Sequence, residues 1–227
     1  MGDYWMEVQL LSTEIEDAIT IHHTHEEINR CALEDQVILK MLNSNSLFWQ
    51  TQMHCMQTCL FITLSRIFDN DANAITIHKL IAATLRNIDL FSAESLASRK
   101  TDAGITHPLL DAYISKAWVP TSANDLRHLK AALKPHAKRF SLVYRPIRHS
   151  IFAHRLMSNS EADARLFADT SRAEISVVLD FLHDLIDAIS GLYLNGLKPE
   201  LGHRSYKEYN QRIRDGARSV LKRFPVA

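Results

Sequence analysis

Glycine and proline are scarce, six of each in 227 residues. Sandwiches and barrels need frequent turn punctuation, so this shortage argues against an all-β architecture. Cysteine is scarcer still, with only Cys31, Cys55 and Cys59. Three thiols cannot build a disulfide framework, and the odd number points to a reducing compartment. Cys55 and Cys59 stand four apart on one helical face. No His/Cys pair lies nearby to complete a zinc site, so they are read as buried core cysteines. The chain has no Gly-rich phosphate loop, no Gly-x-Ser-x-Gly elbow, no His-Glu-x-x-His and no Cys-x-x-Cys. Nucleotide folds built on a sheet are thereby disfavoured. The opening MGDYWMEVQ lacks the basic and apolar regions of a signal peptide. Ser46–Ser65 is uncharged, but its Gln50, Gln52, His54 and Gln57 are each costly in hydrocarbon. A central buried helix is expected there rather than a membrane span, and a cytoplasmic location is expected for the protein.

Apolar residues make up 46% of the chain and charged residues 23%, enough to bury a core. Their spacing is helical almost throughout. Trp5, Val8, Ile15 and Ile19, then Ile28, Ala32 and Ile38, recur at steps of three, four and their sums, as in one or two long N-terminal helices. Asn43–Asn45 is a natural break, and a helix over about 46–68 follows and stops at Asp69-Asn70-Asp71. Short helices are expected at about 76–86, 92–100 and 106–117, with loops at Thr101–Gly104 and Val119–Thr121. Ser122 with Asp125 marks a helix start. That helix, over about 122–133, runs into Pro135, and a second over about 136–157 is interrupted or kinked by Pro146. Ser171-x-x-Glu174 is a capping box leading the clearest helix, which Gly191 or Gly196 ends. A basic helix over about 203–223 closes the chain. The expected fold is all-α: an antiparallel helical bundle with additional short helices, residues 1–227 forming a single domain.

Net charge is zero but unevenly spread. Residues 1–45 hold nine acids against Arg30 and Lys40. Residues 126–160 hold eight Lys/Arg and no acid, and the tail from Arg204 holds seven basic residues against Glu208 and Asp215. This asymmetry suits an anionic partner at the basic part. It equally suits acidic and basic elements packed on each other.

Two clusters invite chemistry. His22, His25 and Glu26 share a helical face and could present metal ligands. A site would need further ligands that the sequence does not specify, so the cluster is read as a solvated polar face and no metal or other cofactor is assigned. Asp69 and Asp71 read as helix-end and turn residues. The second cluster is Tyr144-Arg-Pro-Ile-Arg148-His-Ser-Ile-Phe-Ala-His154-Arg155. On a regular helix Phe140, Val143, Ile147 and Ile151 form an apolar stripe that includes His154, and Arg148 lies about 120° round from His154. The two are not neighbours on one helix face. They could meet at a groove, or across a twofold axis where the helix faces its own copy.

Arg148, a polar His149 directly after it, and His154 after five intervening residues resemble the Arg-x(4–6)-His signature of HEPN-domain ribonucleases. With Leu64-Ser-Arg66-Ile-Phe-Asp69 upstream, the chain is similar to the abortive-infection, AbiU-like branch over most of residues 1–195. The resemblance implies a homodimer whose two Arg–His pairs face each other and cut RNA without a metal. It implies His154 as general base or acid, Arg148 as phosphate clamp, His149 orienting either one, and Arg145 and Arg155 contacting the RNA backbone. These residue types suit the task, because a near-neutral imidazole can take a 2′-OH proton and a guanidinium can stabilise charge on phosphate oxygens. A toxin or phage-defence effector is implied, with an antitoxin protein as a possible partner. Some HEPN toxins carry a modifiable Tyr two positions after the His, where this chain has Leu156. The alternative is a non-catalytic HEPN-like module for dimerisation or for partner or nucleotide binding.

Overall fold

A computed structural model of the chain describes residues 2–71, 73–147 and 170–224. It is all-α, and no strand occurs among the described residues. The helices are α1 (Gly2–Glu34), α2 (Gln36–Ser44), α3 (Ser46–Ile67), α4 (Ile77–Arg86), α5 (Ala93–Asp102) and α6 (Leu110–Ile114). They continue as α7 (Arg127–Arg139), α8 (Arg145–Ile147), α9 (Arg172–Asn195) and α10 (Lys207–Leu221).

Several helix starts carry the side-chain caps their sequences offer. Thr76 accepts from Lys79 N at 3.3 Å and Ser92 from Ser95 N at 3.1 Å. Ser122 and Asp125 form the expected capping box, although the turn it opens (Ala123–Leu126) is 3₁₀ and leads directly into α7. Ser171 accepts from Glu174 N at 3.0 Å to start α9. One boundary falls where periodicity gives no warning. Asp35 interrupts the N-terminal helix by capping α2, its carboxylate accepting from Val37 N at 2.8 Å and Ile38 N at 3.3 Å.

The two prolines act differently from expectation. Pro135 lies inside α7 rather than ending a helix before it. The carbonyl it frees belongs to Ala131, and both residues are exposed, so water can take the lost bond. Ahead of Pro146 the chain widens into a π-helical turn, Phe140–Tyr144. A wider turn relieves the clash of a proline ring with the carbonyl four residues before it. The wider turn also changes which side chains face inward. Phe140, Tyr144 and Ile147 are buried, and Val143 is only half-buried.

The chain divides into two compact units. The first comprises residues 1–13, 67–139 and 181–204. Its start is pinned by aromatic contacts: the Tyr4 ring meets Phe91 edge-on at 5.8 Å and Trp5 stacks on Tyr193 at 5.3 Å. Arg99 lies 4.1 Å over the Tyr193 ring and donates to the carbonyls of Leu90 (2.7 Å) and Tyr193 (2.8 Å), so this half-buried cation is used within the fold. Gly196 ends α9 at φ +59°, with Trp118 N donating to its carbonyl at 2.7 Å.

The second unit comprises residues 14–66, 140–180 and 205–227. One of its apolar clusters joins Ile28 and Cys31 of α1, Ile38, Met41 and Leu42 of α2, and Leu221 of α10, with Trp49, Met53 and Met56 of α3 packed on it. That packing corrects two expectations about α3. The helix is not centrally buried: Leu47 and Phe48 are exposed at its start, and burial becomes regular only from Leu60. Cys55 and Cys59 are exposed on its outer face, and only Cys31 is a buried thiol. The run of uncharged residues reflects a one-sided helix with a Gln- and His-rich face. Among the described residues no helix is long and apolar enough to cross a membrane.

Candidate functional site

Of the residues named from the sequence, Arg148, His149, His154 and Arg155 lie outside the described residues. The helix leading to them is described as far as Ile147, which is fully buried, and Arg145 beside it is exposed. On α7 the side chains of Lys130, Lys134 and Lys138 recur every fourth residue and are exposed, with Arg127 exposed at its start. None of these four pairs with a carboxylate among the described residues.

The densest ionisable constellation among the described residues lies in the second unit, where α1 meets α10 and the start of α9. His22, His23 and Glu27 are buried on α1. The reading of this stretch as a solvated polar face is therefore wrong, because here α1 is covered by charged partners that arrive from distant sequence. Glu27 is enclosed on all sides. Arg30 donates to its carboxylate from Nε (2.9 Å) and Nη2 (2.6 Å), Arg218 of α10 from Nε (2.9 Å), and the Cys31 thiol at 3.3 Å. Burial alone would push the Glu27 carboxyl up, but the two guanidinium groups and the thiol outweigh it and hold it low. Burial, assisted by the same carboxylate, pushes the Cys31 thiol up, which makes it unreactive.

Glu26, one residue earlier, accepts from Arg214 of α10 at 3.1 Å and stands 3.4 Å from both His22 Nε2 and His23 Nδ1. Burial opposes its ionisation, yet the His23 bond and the charges of His22 and Arg214 bring its carboxyl down to about 2. His22 donates to or accepts from Ser176 of α9 at 2.8 Å. Burial depresses the His22 imidazole to about 4, so it is neutral at physiological pH. His23 Nδ1 lies 3.1 Å from Arg214, while its buried Nε2 has no hydrogen-bond partner among the described residues.

His25, grouped with His22 from the sequence, points away from this cluster. It lines a separate cavity of about 410 Å³ with Asn29, Trp49, Met53 and His54. The residues missed from sequence were His23, Glu27, Arg214 and Arg218. No local spacing marks them, because Arg214 meets Glu26 and Arg218 meets the adjacent Glu27, a pairing of α1 with α10 that requires the fold. Arg214 and Arg218 of the basic tail are thereby committed to carboxylates of the acidic N-terminal helix.

A family model described as AbiU2 (HEPN_AbiU2) matches residues 7–220. No curated protein matches, and no solved structure matches.

Proposed function

We propose that this chain, which belongs to the AbiU2 family of HEPN proteins, cleaves RNA without a metal as a homodimer in which two copies of Arg148 and His154 complete one site. The observation that carries this reading is the Arg148–His154 motif within a chain matched to that family over residues 7–220. His154 takes the proton of a ribose 2′-OH, and Arg148 stabilises charge developing on the attacked phosphate. Attack of the 2′-oxygen on phosphorus forms the cyclic phosphate as the bond to the 5′-oxygen breaks. A proton then returns to that leaving oxygen. His149 orients one of the pair, and Arg145 and Arg155 contact the backbone.

The row Arg127, Lys130, Lys134 and Lys138 on α7 is exposed and pairs with no carboxylate among the described residues, which supports phosphate contacts by that helix. Arg214 and Arg218 of α10 take no part in those contacts, because they are paired with Glu26 and Glu27. The setting is an abortive-infection effector in the cytoplasm, held in check by an antitoxin protein.

The test is incubation with total RNA in EDTA. Wild type yields 2′,3′-cyclic phosphate ends and His154→Ala does not. If wild type and His154→Ala are equally inert across several RNA pools, the chain is a non-catalytic helical module and the nuclease reading is lost.

A further inference from the structure

We propose that His22, His23 and Glu26 form a binding site for a divalent transition-metal ion of the zinc class, in which Arg214 is the resident cation that the metal displaces. The three donor atoms, His22 Nε2, His23 Nδ1 and Glu26 Oε2, lie within 4.8 Å of one another. Both imidazole-to-carboxylate distances are 3.4 Å. That is long for a charge-assisted hydrogen bond, which settles near about 2.7–2.9 Å. The two carboxylate edges match those of a tetrahedral zinc shell, roughly 3.3–3.4 Å for bonds of about 2.0–2.1 Å, whereas the edge between the two imidazole nitrogens, at up to 4.8 Å, has to shorten by ring rotation as the metal binds. Two imidazoles and a carboxylate are a donor set that suits zinc, and a fourth position remains for water near the Ser176 hydroxyl, which is 2.8 Å from His22 Nε2.

The surroundings favour a cation at this point. Both histidines are buried, at 2% and 1% exposure. The cation now present is the Arg214 guanidinium, whose Nη2 is 3.1 Å from both His23 Nδ1 and Glu26 Oε2. Its side chain is about one-third exposed and belongs to α10, so it can swing into water when a metal takes its seat. Metal occupancy would then remove one of the two arginine tethers of α10 to α1, leaving Arg218–Glu27.

The site shares no residue with the Arg148–His154 motif, and its test reads binding rather than cleavage. Untagged protein carrying Cys55→Ser and Cys59→Ser, which removes the exposed thiols, is stripped with chelator and titrated with Co²⁺ and then Zn²⁺. One ion per chain is expected, with the absorption bands of four-coordinate cobalt. His23→Gln should weaken binding by more than about tenfold, and Arg214→Met, which keeps all three ligands, should tighten it. No saturable binding up to about 100 µM, equal affinity in His23→Gln, or unchanged or weaker affinity in Arg214→Met each overturns the proposal. The Arg214→Met arm decides the matter even if His23→Gln does not fold. EDTA-resistant RNA cleavage should persist in both variants, so failure here and failure of the nuclease reading are distinguishable.

Discussion

Glu27 offers a sharp test of how the second unit is held together. Its side chain is 1% exposed, whereas its partners Arg30 and Arg218 are 43% and 34% exposed. Removing the two guanidinium groups and removing the carboxylate are therefore unequal perturbations. Arg30→Met with Arg218→Met leaves a buried, uncompensated carboxylate, which costs about 3–5 kcal/mol. Glu27→Met leaves two arginines that can rehydrate, so its cost is limited to lost charged hydrogen bonds, about 1.5–3 kcal/mol. The triple variant, with neither charge, should be more stable than the double arginine variant although it carries one more substitution. The pH response should also reverse. In wild type the Glu27 carboxyl is held below its ordinary value, so its contribution is present above that value and is lost on acidification. In the double arginine variant burial acts almost unopposed and raises the folded-state pKa, so stability should fall as pH rises through the carboxyl range. Urea unfolding followed by far-UV circular dichroism at pH 4.5 and 7 measures both effects. A triple variant no more stable than the double, or a double within about 0.5 kcal/mol of wild type, would refute the reasoning.

Other predictions follow from single features. The His22 imidazole is near 4 when folded, chiefly through burial, and is 6.5 in its unperturbed state. Its stabilising contribution is full above pH 6.5 and is lost as pH falls toward 4, by up to about 3 kcal/mol at roughly 1.4 kcal/mol per unit. Urea midpoints across that window should fall less steeply in His22→Gln; an identical slope rejects the assignment. Gly196→Ala places a Cβ 2.6 Å from Ala117 Cβ and 2.9 Å from Leu96 Cδ2 at φ +59°. Positive φ and overpacking together should cost about 2–4 kcal/mol, read as a lowered thermal midpoint. Thiol reagents should modify Cys55 and Cys59 in the native protein well before Cys31, whose thiol is buried and raised by Glu27; mass spectrometry of the labelled peptides checks the order. Raising salt should weaken RNA binding, and Lys130→Glu with Lys134→Glu should flatten that dependence by about two phosphate contacts in the log–log slope.

What could be read from the sequence was what short-range chemistry decides. Ser122 with Asp125, and Ser171 with Glu174, announce helix starts because a capping box closes within four residues. The 3.6-residue spacing of α9 and the pairing of Asn43–Asn45 with a helix break are likewise local. Pro135 misled because a proline's effect depends on whether the carbonyl it frees can reach water. Val143 was placed inward because the helical wheel assumes a constant turn, whereas the π-helical widening brings Tyr144 to that face. Cys55 and Cys59 read as core from sequence because thiols are usually buried, but α3 is covered on its other side. The error at His22 had a different cause. A polar stretch on an N-terminal helix looks solvated unless its partner is known, and Arg214 and Arg218 lie nearly two hundred residues away.

That last point bears on the charge asymmetry, for which two explanations stood open. The structure divides the basic residues between them. In the second unit the acids of α1 are met by the arginines of α10: Glu26 by Arg214, and Glu27 and Glu34 by Arg218. Three of the nine acids of the front are thus matched by the tail, and their charge is largely neutralised there. Arg127, Lys130, Lys134 and Lys138 of α7 and the exposed Arg145 have no such partners among the described residues, and acids are absent from the sequence around them. An anionic partner, if drawn by charge, is drawn by that central stretch. Charge reversal at Lys130 and Lys134 should therefore weaken RNA binding with little change in stability. Charge reversal at Arg214 and Arg218 should lower stability first, and affect RNA only through unfolding. If both pairs of substitutions shifted RNA affinity equally in folded protein, the tail would share the RNA-binding role and the division would be wrong.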